Sequence, residues 1–172
     1  MARLNAQVRE RLDNIINKGL PVIVGDANGA DKAIQQYLHE KSYRNVEVFC
    51  TGKICRNNVG HWTAQLVKTN AIQRDFSFYS AKDRVMTSEA TFGLMIWDGK
   101  SIGTLLNIWR LLNSHKKVVV YATPEKQFCE LRNFQEWNDF ISHYDHDLKI
   151  KVEQKAALES KNRDGSQPAF GF

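Results

Sequence analysis

The chain has 172 residues, of which 42% are hydrophobic and 25% are charged, and its formal net charge is +5 at pH 7. This length suits one domain, and the composition is that of a globular protein with a hydrophobic core. No stretch approaches the roughly 18 apolar residues of a membrane helix, and the first residues lack the apolar segment of a signal peptide. We therefore expect a cytoplasmic protein without a membrane partner. Because the basic residues are scattered, a nucleic-acid partner is not favoured, although it is not excluded.

The three cysteines are Cys50, Cys55 and Cys129, and their spacing does not match a metal site. In a cytosolic protein, reduced thiols are the usual state of such residues. We therefore expect three free thiols, no bound metal and no cofactor.

Apolar residues at three- and four-residue spacing predict helices, and short β-branched runs predict buried strands. In chain order the expected elements are a helix over 2–18, a strand over 21–24, a helix over 30–41, a strand over 46–50, a loop over 51–60, a helix over 79–89, a strand over 91–97, a helix over 103–114, a strand over 117–121 and a helix over 134–144. Residues 62–78 follow neither period and are left unassigned.

Strands that alternate with helices predict an α/β fold, here a Rossmann-like three-layer sandwich with a mostly parallel sheet. The expected domain covers residues 1–149. Residues 150–172 are polar and contain Gly165 and Pro168, so we expect a mobile tail there.

Two strand-to-helix turns contain glycines, Gly25–Asp31 and Asp98–Thr104. In open parallel sheets, ligands bind at the carboxyl ends of the strands. Glycine permits close approach of the backbone to a ligand, and the free amides at a helix start attract anions. Glycine and aspartate also occur at such turns merely to form them, but two turns of this type together predict a phosphate-binding site.

The segments V-I-V-G-D-A-N-G-A-D-K-A and G-L-M-I-W-D-G-K-S-I-G-T resemble the SLOG superfamily, and most closely its YspA-like branch. That superfamily also includes the LONELY GUY (lysine decarboxylase-like) proteins and the DNA-processing protein A fold. The resemblance covers roughly Pro21–Ala122. It implies a Rossmann-like domain that binds a nucleotide or a nucleotide-derived signal.

The resemblance also implies which residues contact the ligand. In the first turn these are Gly25, Asp26, Gly29, Ala30 and Asp31. In the second turn they are Asp98, Gly99, Ser101, Gly103 and Thr104. To these we add, from their positions in the chain, Asn28, Arg56, Asn57, Asn58 and Trp97.

Two departures from the family pattern bear on catalysis. LONELY GUY enzymes carry a glutamate that assists cleavage of an N-glycosidic bond, and Asn107 stands at the matching position here. An asparagine cannot act as the general base. Asp98, or else Asp83, is the remaining candidate catalytic residue, although neither stands at the matching position, and the sequence leaves open whether the chain is an enzyme. The second departure is that no strand precedes the first helix, so either the family's first strand is absent or the start is truncated.

The expected function is therefore the binding or sensing of a nucleotide-derived ligand at the two turns. One alternative is a hydrolase or transferase that acts on a nucleotide N-glycosidic bond. A second alternative is a structural partner domain, and a homo-oligomer such as a dimer is expected in either case.

Overall fold

The computed structural model describes residues 4–69 and 75–164, with side chains as far as residue 160. The helices are α1 (Ala6–Asn17), α2 (Ala30–Glu40), α3 (Phe76–Glu89), α4 (Ile102–Asn113), α5 (Phe134–Ser142) and α6 (His146–Asp164). The strands are β1 (Val22–Gly25), β2 (Val46–Thr51), β3 (Thr63–Val67), β4 (Gly93–Trp97), β5 (Val118–Ala122) and β6 (Gln127–Leu131). The α/β class is confirmed. None of the described helices is long and apolar enough to cross a membrane.

The chain divides into two compact units, Met1–Ala90 and Thr91–Phe172. The first unit contains a sheet in the order β1-β2-β3, and both of its pairings are parallel. Gly25 at the end of β1 pairs with Phe49 of β2. Because all three strands run the same way, their carboxyl ends meet at one edge of this sheet.

Helices cover both faces of the first sheet. Val24, Val48 and Cys50 point to one face, where they pack with Leu38 of α2 in a buried cluster. Since neighbouring residues of a strand point to opposite faces, Gly25 points to the other face. A Cβ atom at Gly25 would meet the side chain of a lysine of α3, so α3 covers that second face. The first unit is thus a three-layer, Rossmann-like sandwich.

The second unit contains a sheet in the order β4-β5-β6. β5 pairs with β4 in parallel and with β6 antiparallel. All five residues of β5 are buried, as the continuous apolar run predicts. Helix α4 packs against β4 and β5 and buries Leu105, Ile108 and Leu111.

The sequence does not predict β3 or β6. Four of the five residues of β3 are exposed, and β6 likewise mixes exposed and partly buried positions, so neither has the apolar run of a buried strand. Three of the four described pairings are parallel, in agreement with the predicted mostly parallel pairing. Among the described residues ahead of β1, only α1 is present, so no strand stands there.

The predicted tail is wrong over most of its length, because α6 extends to Asp164. Val152 and Ala156, which lie four residues apart on one face of α6, are buried. Glu159, three residues after Ala156 on this helix, forms an ion pair with buried Arg110 of α4. These contacts order a segment whose polar composition alone favours disorder. Residues 165–172, with Gly165 and Pro168, lie outside the described part of the chain.

The prediction of three free thiols is also wrong, because Cys50 and Cys55 form a disulfide. Cys50 lies near the end of β2, and the following loop turns back so that the two Cα atoms are 5.1 Å apart. That separation lies within the range a disulfide requires. Cys129 is the free cysteine and is partly buried. The cysteine spacing alone could not have revealed this return of the loop.

Candidate functional site

The first turn leaves the start of α2 without a cap. Gly29, the residue before α2, has φ +94°, and no side-chain hydrogen bond caps the helix there. Nothing lies within 4 Å of the position that a Cβ atom would occupy at Gly29, and Ala30 and Asn28 are exposed. The first amides of a helix have no partner inside the helix. The start of α2 therefore lacks a side-chain cap and lies beside open space, at the positive end of the helix dipole.

Asp26 is held by the loop that follows β2. Its carboxylate is 2% exposed and accepts two hydrogen bonds from Arg56, one from the backbone N–H at 3.0 Å and one from Nη2 at 2.7 Å. Burial acts to raise the pKa of Asp26, but the hydrogen bonds from Arg56 outweigh it and leave the pKa below the ordinary value. Asp26 is therefore ionised at neutral pH and anchors Arg56, rather than offering its carboxylate to a ligand.

The same loop brings Asn57 to the first turn. Its Nδ2 donates to the carbonyl oxygen of Asp26 at 2.7 Å and to Oδ1 of Asn28 at 3.0 Å. These hydrogen bonds bring Arg56 and Asn57 to the Gly25–Asp31 turn, as predicted from their positions in the chain. Asn58 does not take part, because its side chain exchanges two hydrogen bonds with the backbone of Trp62.

Gln35 joins the turn to the loop, a role that was not predicted from the sequence. Its side chain is fully buried, and Nε2 donates to the carbonyl oxygens of Gly25 at 2.8 Å and of Asn57 at 3.3 Å. Its Oε1 accepts the backbone N–H of Val59 at 2.9 Å. The only sequence signal for this role was the position of Gln35 among the apolar residues that predict the buried face of α2.

Gly25 makes room for charged side chains of the protein. A Cβ atom there would lie 2.3 Å from Oδ2 of Asp31 and 2.8 Å from Nζ of Lys82. Oδ2 of Asp31 accepts the backbone N–H of Ala27 at 3.0 Å and lies 4.0 Å from Lys82 Nζ. We predicted that Gly25 lets a ligand approach the backbone closely. In the structure, the side chains of Asp31 and Lys82 occupy that space instead.

Asp31 and Lys82 form a largely buried charged group with Asp83. Nζ of Lys82 is 2.7 Å from Oδ1 of Asp83, and the Lys82 side chain is 5% exposed. Burial raises the pKa of Asp31, and the nearby Lys82 ammonium only partly opposes this. Lys82 and Asp83 belong to the predicted helix over 79–89, and charged residues of such a polar helix are ordinarily exposed to solvent. Lys82 lies four residues after Phe78, on the same side of α3, which was the one hint of its burial.

The second turn is built mainly by its own side chains. Oδ1 of Asp98 accepts the backbone N–H groups of Lys100 at 3.0 Å and of Ser101 at 2.7 Å. Ser101 caps α4 by accepting the N–H of Thr104 at 3.3 Å. Burial acts to raise the pKa of Asp98, but the hydrogen bonds from these backbone amides leave it lowered. An ionised, hydrogen-bonded carboxylate is poorly suited to donate a proton.

Of the two glycines in this turn, Gly99 precedes α4 and Gly103 lies within it. Gly99 has φ +80°, and a Cβ atom there would lie 2.8 Å from Cγ of Pro124, so both backbone angle and space require glycine. Gly103 lies in the first turn of α4 and is half-buried. The geometry of the turn thus explains why residue 99 is a glycine.

Trp97 lies in the core of the second unit and not at a pocket surface. Its side chain is fully buried, with ring centroids 4.5 Å from Tyr144 and 5.6 Å from Phe140. The indole Nε1 donates to the carbonyl oxygen of Ser101 at 3.2 Å. The interpretation of Trp97 as a pocket wall is therefore corrected to a packing role.

Asn107 is part of a polar contact inside the second unit. Its Oδ1 accepts a 2.5 Å hydrogen bond from Nη1 of Arg110, which is 5% exposed. The same guanidinium pairs with both carboxylate oxygens of Glu159 on α6. The amide of Asn107 thus holds the buried Arg110 side chain in place.

A separate groove of about 470 Å³ opens beside α3. It is lined by residues of β3 and α3 together with Lys68 and Thr69. None of the predicted site residues lines this groove. In the described part of the chain, no three histidine, cysteine or acidic side chains come together as they would to bind a metal ion.

Comparison with protein-family models, with curated proteins and with solved structures gave no match. The resemblance to the SLOG superfamily therefore stays a prediction.

Proposed function

We propose that the chain binds a nucleotide-derived ligand, with a phosphate group placed against the start of α2. The observation that carries this proposal is the start of α2 beside Gly29, where no side chain caps the helix and a Cβ atom would meet nothing within 4 Å. Helix N-termini of this kind bind phosphate through backbone N–H groups and through the helix dipole. The second turn is capped by Ser101 and Asp98, so it supports the proposal less strongly.

Side chains around the first turn add hydrogen-bonding groups for the rest of such a ligand. Asn28 is exposed, and the guanidinium of Arg56 lies over the ring of Tyr79 at 4.2 Å from its centroid. The Arg56 side chain is 35% exposed, so part of it is accessible to a ligand. Because Asp26 neutralises Arg56, the attraction of an anion to this turn comes chiefly from the helix amides.

The proposal is tested by placing a negative charge at the start of α2. Ala30 is exposed and is the first residue of α2, so the substitution Ala30→Glu favours the helix dipole while repelling a phosphate. Ala6→Glu is the matched control, because Ala6 is also exposed and begins α1. The measurement is the shift in melting temperature with AMP, ADP, ADP-ribose and cyclic AMP.

We expect at least one of these compounds to stabilise the wild-type chain and the Ala6→Glu variant, and to have no effect on Ala30→Glu. Ligand stabilisation that survives Ala30→Glu would contradict binding at this turn. No stabilisation of the wild-type chain by any compound of the panel would contradict the proposed function.

A second candidate function is hydrolysis of a nucleotide N-glycosidic bond, and the environment of Asp31 favours it. A general acid must hold the proton that it gives to a departing base, and burial shifts the pKa of Asp31 upwards, in the direction that favours this role. The lowered pKa of Asp98 argues against the residue that the sequence suggested. The test is release of adenine from AMP: this candidate requires release by the wild-type chain, loss in Asp31→Asn and retention in Asp98→Asn. The homo-oligomeric state and the cytoplasmic location stay predictions.

A further inference from the structure

The disulfide between Cys50 and Cys55 closes a small ring at the carboxyl end of β2. Cys50 is fully buried, whereas Cys55 is partly exposed. The residues between them include Lys53 and Ile54, and the Ile54 side chain is 82% exposed. The ring thus joins a fully buried cysteine of β2 to a partly exposed cysteine that packs at the edge of the same apolar cluster.

The residue after this ring is the one that holds the first turn. Arg56 directly follows Cys55 and makes both hydrogen bonds to the Asp26 carboxylate. Asn57, the next residue, donates to the carbonyl oxygen of Asp26. All three contacts therefore come from the two residues that the disulfide fixes relative to β2. Without the covalent bond, their position depends on hydrogen bonds alone, namely those to Asp26 and those that Gln35 makes to Asn57 and Val59.

We propose that Cys50–Cys55 is a reversible modification site, reduced by a small-molecule or protein dithiol, whose state controls how firmly residues 52–60 cover the first turn. A thiolate of the dithiol attacks Sγ of Cys55 and forms a mixed disulfide, and the S–S bond breaks with Cys50 leaving as the thiolate. The second thiol of the reagent then releases Cys55. The protein gains two electrons and two protons, and the reagent becomes a disulfide.

Two features make this bond suited to a local switch. A ring this short lies at the small end of the range of disulfide stabilisation, so reduction leaves the rest of the sheet folded. Cys50 also packs in the apolar cluster of Val24, Leu38 and Val48, where a buried thiol is well tolerated. Reduction therefore loosens the loop that carries Arg56 without removing the core beneath it. Any effect of disulfide reduction on ligand affinity rests on the proposed function, whereas the loosening of the loop does not.

Trypsin provides a readout that needs no ligand. It cleaves after Lys53 and after Arg56, both in the loop, and after Lys126, which is exposed between β5 and β6. We expect reduction with dithiothreitol to speed cleavage at the two loop sites at least about tenfold, because local opening governs proteolysis of native chains. Cleavage at Lys126 is the internal control and keeps its rate. Fragments are analysed after quenching and full reduction, so that the disulfide does not mask a cut at Lys53.

Thiol titration and two variants complete the experiment. The oxidised chain has one titratable thiol, at Cys129, and the reduced chain has three. The double variant Cys50→Ala, Cys55→Ser is cleaved rapidly with or without dithiothreitol, whereas Cys129→Ser keeps the full response. Equal loop cleavage in the oxidised and reduced wild-type chains would overturn the proposal, as would three free thiols after oxidation with glutathione disulfide.

The failure of this proposal is distinguishable from that of the proposed function. If loop cleavage responds to reduction while no compound of the nucleotide panel binds in either state, the switch stands and the nucleotide function fails. If a nucleotide stabilises both states equally and cleavage does not respond, the binding function stands and the switch fails.

Discussion

Gly25 lacks the Cβ atom that any other residue would bring, and the carboxylate of Asp31 and the ammonium of Lys82 occupy the space beside it. The two ends of these side chains can move, but Asp31 would then lose the backbone N–H of Ala27 that it accepts. At the scale of the residue, therefore, this glycine maintains an internal charge arrangement on which the nearby turn depends.

The substitution Gly25→Ala should lower the free energy of unfolding by about 1–3 kcal/mol, because it overpacks a filled site. In an Asp31→Ala background the same substitution should cost at least about 0.5 kcal/mol less, since the nearest clashing atoms are gone. Gly19→Ala is the control. Nothing lies within 4 Å of a Cβ atom at Gly19, so its cost should be the same in both backgrounds. Chemical denaturation of the wild-type chain, the three single variants and the two double variants measures these differences, and strict additivity at Gly25 would contradict the argument.

Arg56 is the sole described side-chain partner of the buried Asp26 carboxylate. Arg56→Met should lower the free energy of unfolding by about 2–3 kcal/mol at pH 7, because a buried carboxylate then lacks its charged hydrogen-bond donor. Arg132→Met, which removes a side chain 64% exposed, should cost less than about 1 kcal/mol.

The loss should shrink as the pH falls. In the wild-type chain the folded pKa of Asp26 is below its ordinary value of 3.8, so its contribution is present above that value and is lost in more acidic solution. Without the Arg56 guanidinium, the backbone N–H of residue 56 and the more distant Lys82 oppose burial less strongly, so the pKa of Asp26 is higher than in the wild-type chain and the variant gains stability as the carboxyl takes up a proton. A difference between the two chains that is constant from pH 7 to pH 3 would rule out this account.

At the scale of the element, α6 illustrates how packing overrides composition. It is polar enough to suggest a tail, yet it buries Val152 and Ala156, and it supplies Glu159 to the buried Arg110. Four-residue spacing of two small apolar side chains is a weak signal in a segment rich in lysine and glutamate. The partner that gives this spacing its meaning is α4, which the local sequence cannot reveal.

Val152→Ala should lower the free energy of unfolding by about 2 kcal/mol, the effect of removing two buried methyl groups and leaving a small cavity. Leu158→Ala removes a larger side chain from the same helix but one that is 62% exposed, and it should change stability by less than about 0.5 kcal/mol. Urea denaturation provides both values. Equal effects at the two positions would mean that α6 does not pack as described.

The strands show the same division. The apolar runs that became β1, β2, β4 and β5 were predictable, because a strand buried on both faces needs continuous apolar residues. β3 and β6 were not predictable, because they lie at the ends of their sheets, where β3 is largely exposed and β6 mixes exposed, partly buried and buried positions. Their strand conformation comes from hydrogen bonds to β2 and β5 rather than from their own composition.

At the scale of the whole molecule, carboxyl groups should make stability depend on pH in two opposite ways. The pKa values of Asp26 and Asp98 are lowered in the folded chain, so their stabilisation is present above about pH 4 and is lost as the pH falls below it. The pKa of Asp31 is raised, so its contribution is greatest in acid and is lost as the pH rises through the folded value. The sum predicts acid unfolding together with a residual penalty at neutral pH.

Asp31→Asn should remove that penalty, because asparagine can still accept the Ala27 N–H without carrying a buried charge. We expect the melting temperature of the variant to equal or exceed that of the wild-type chain at pH 7. Below pH 3.8, where the wild-type carboxyl is protonated in both states, the advantage should disappear. Asp83→Asn serves as the comparison. A lower melting temperature of Asp31→Asn at pH 7 would show that its pairing with Lys82 outweighs its burial.

The sequence by itself determined the α/β class, the order of the buried strands and the helices between them, and the positions of the two strand-to-helix turns. Periodicity and turn residues are local, so these features are encoded within a few residues of where they appear. The sequence also placed Arg56 and Asn57 near the first turn, since both follow the carboxyl end of a neighbouring parallel strand.

Only the tertiary structure decided what those residues do. It joined Cys50 to Cys55, buried Lys82 against Asp31, gave Gln35 its contacts to turn and loop, and placed Trp97 in a core. Each of these contacts depends on where the chain returns in space, and on the burial that the return produces, which spacing along the sequence does not specify. The first turn therefore keeps its predicted place in the fold, while the partners of its side chains come from segments of the sequence tens of residues away.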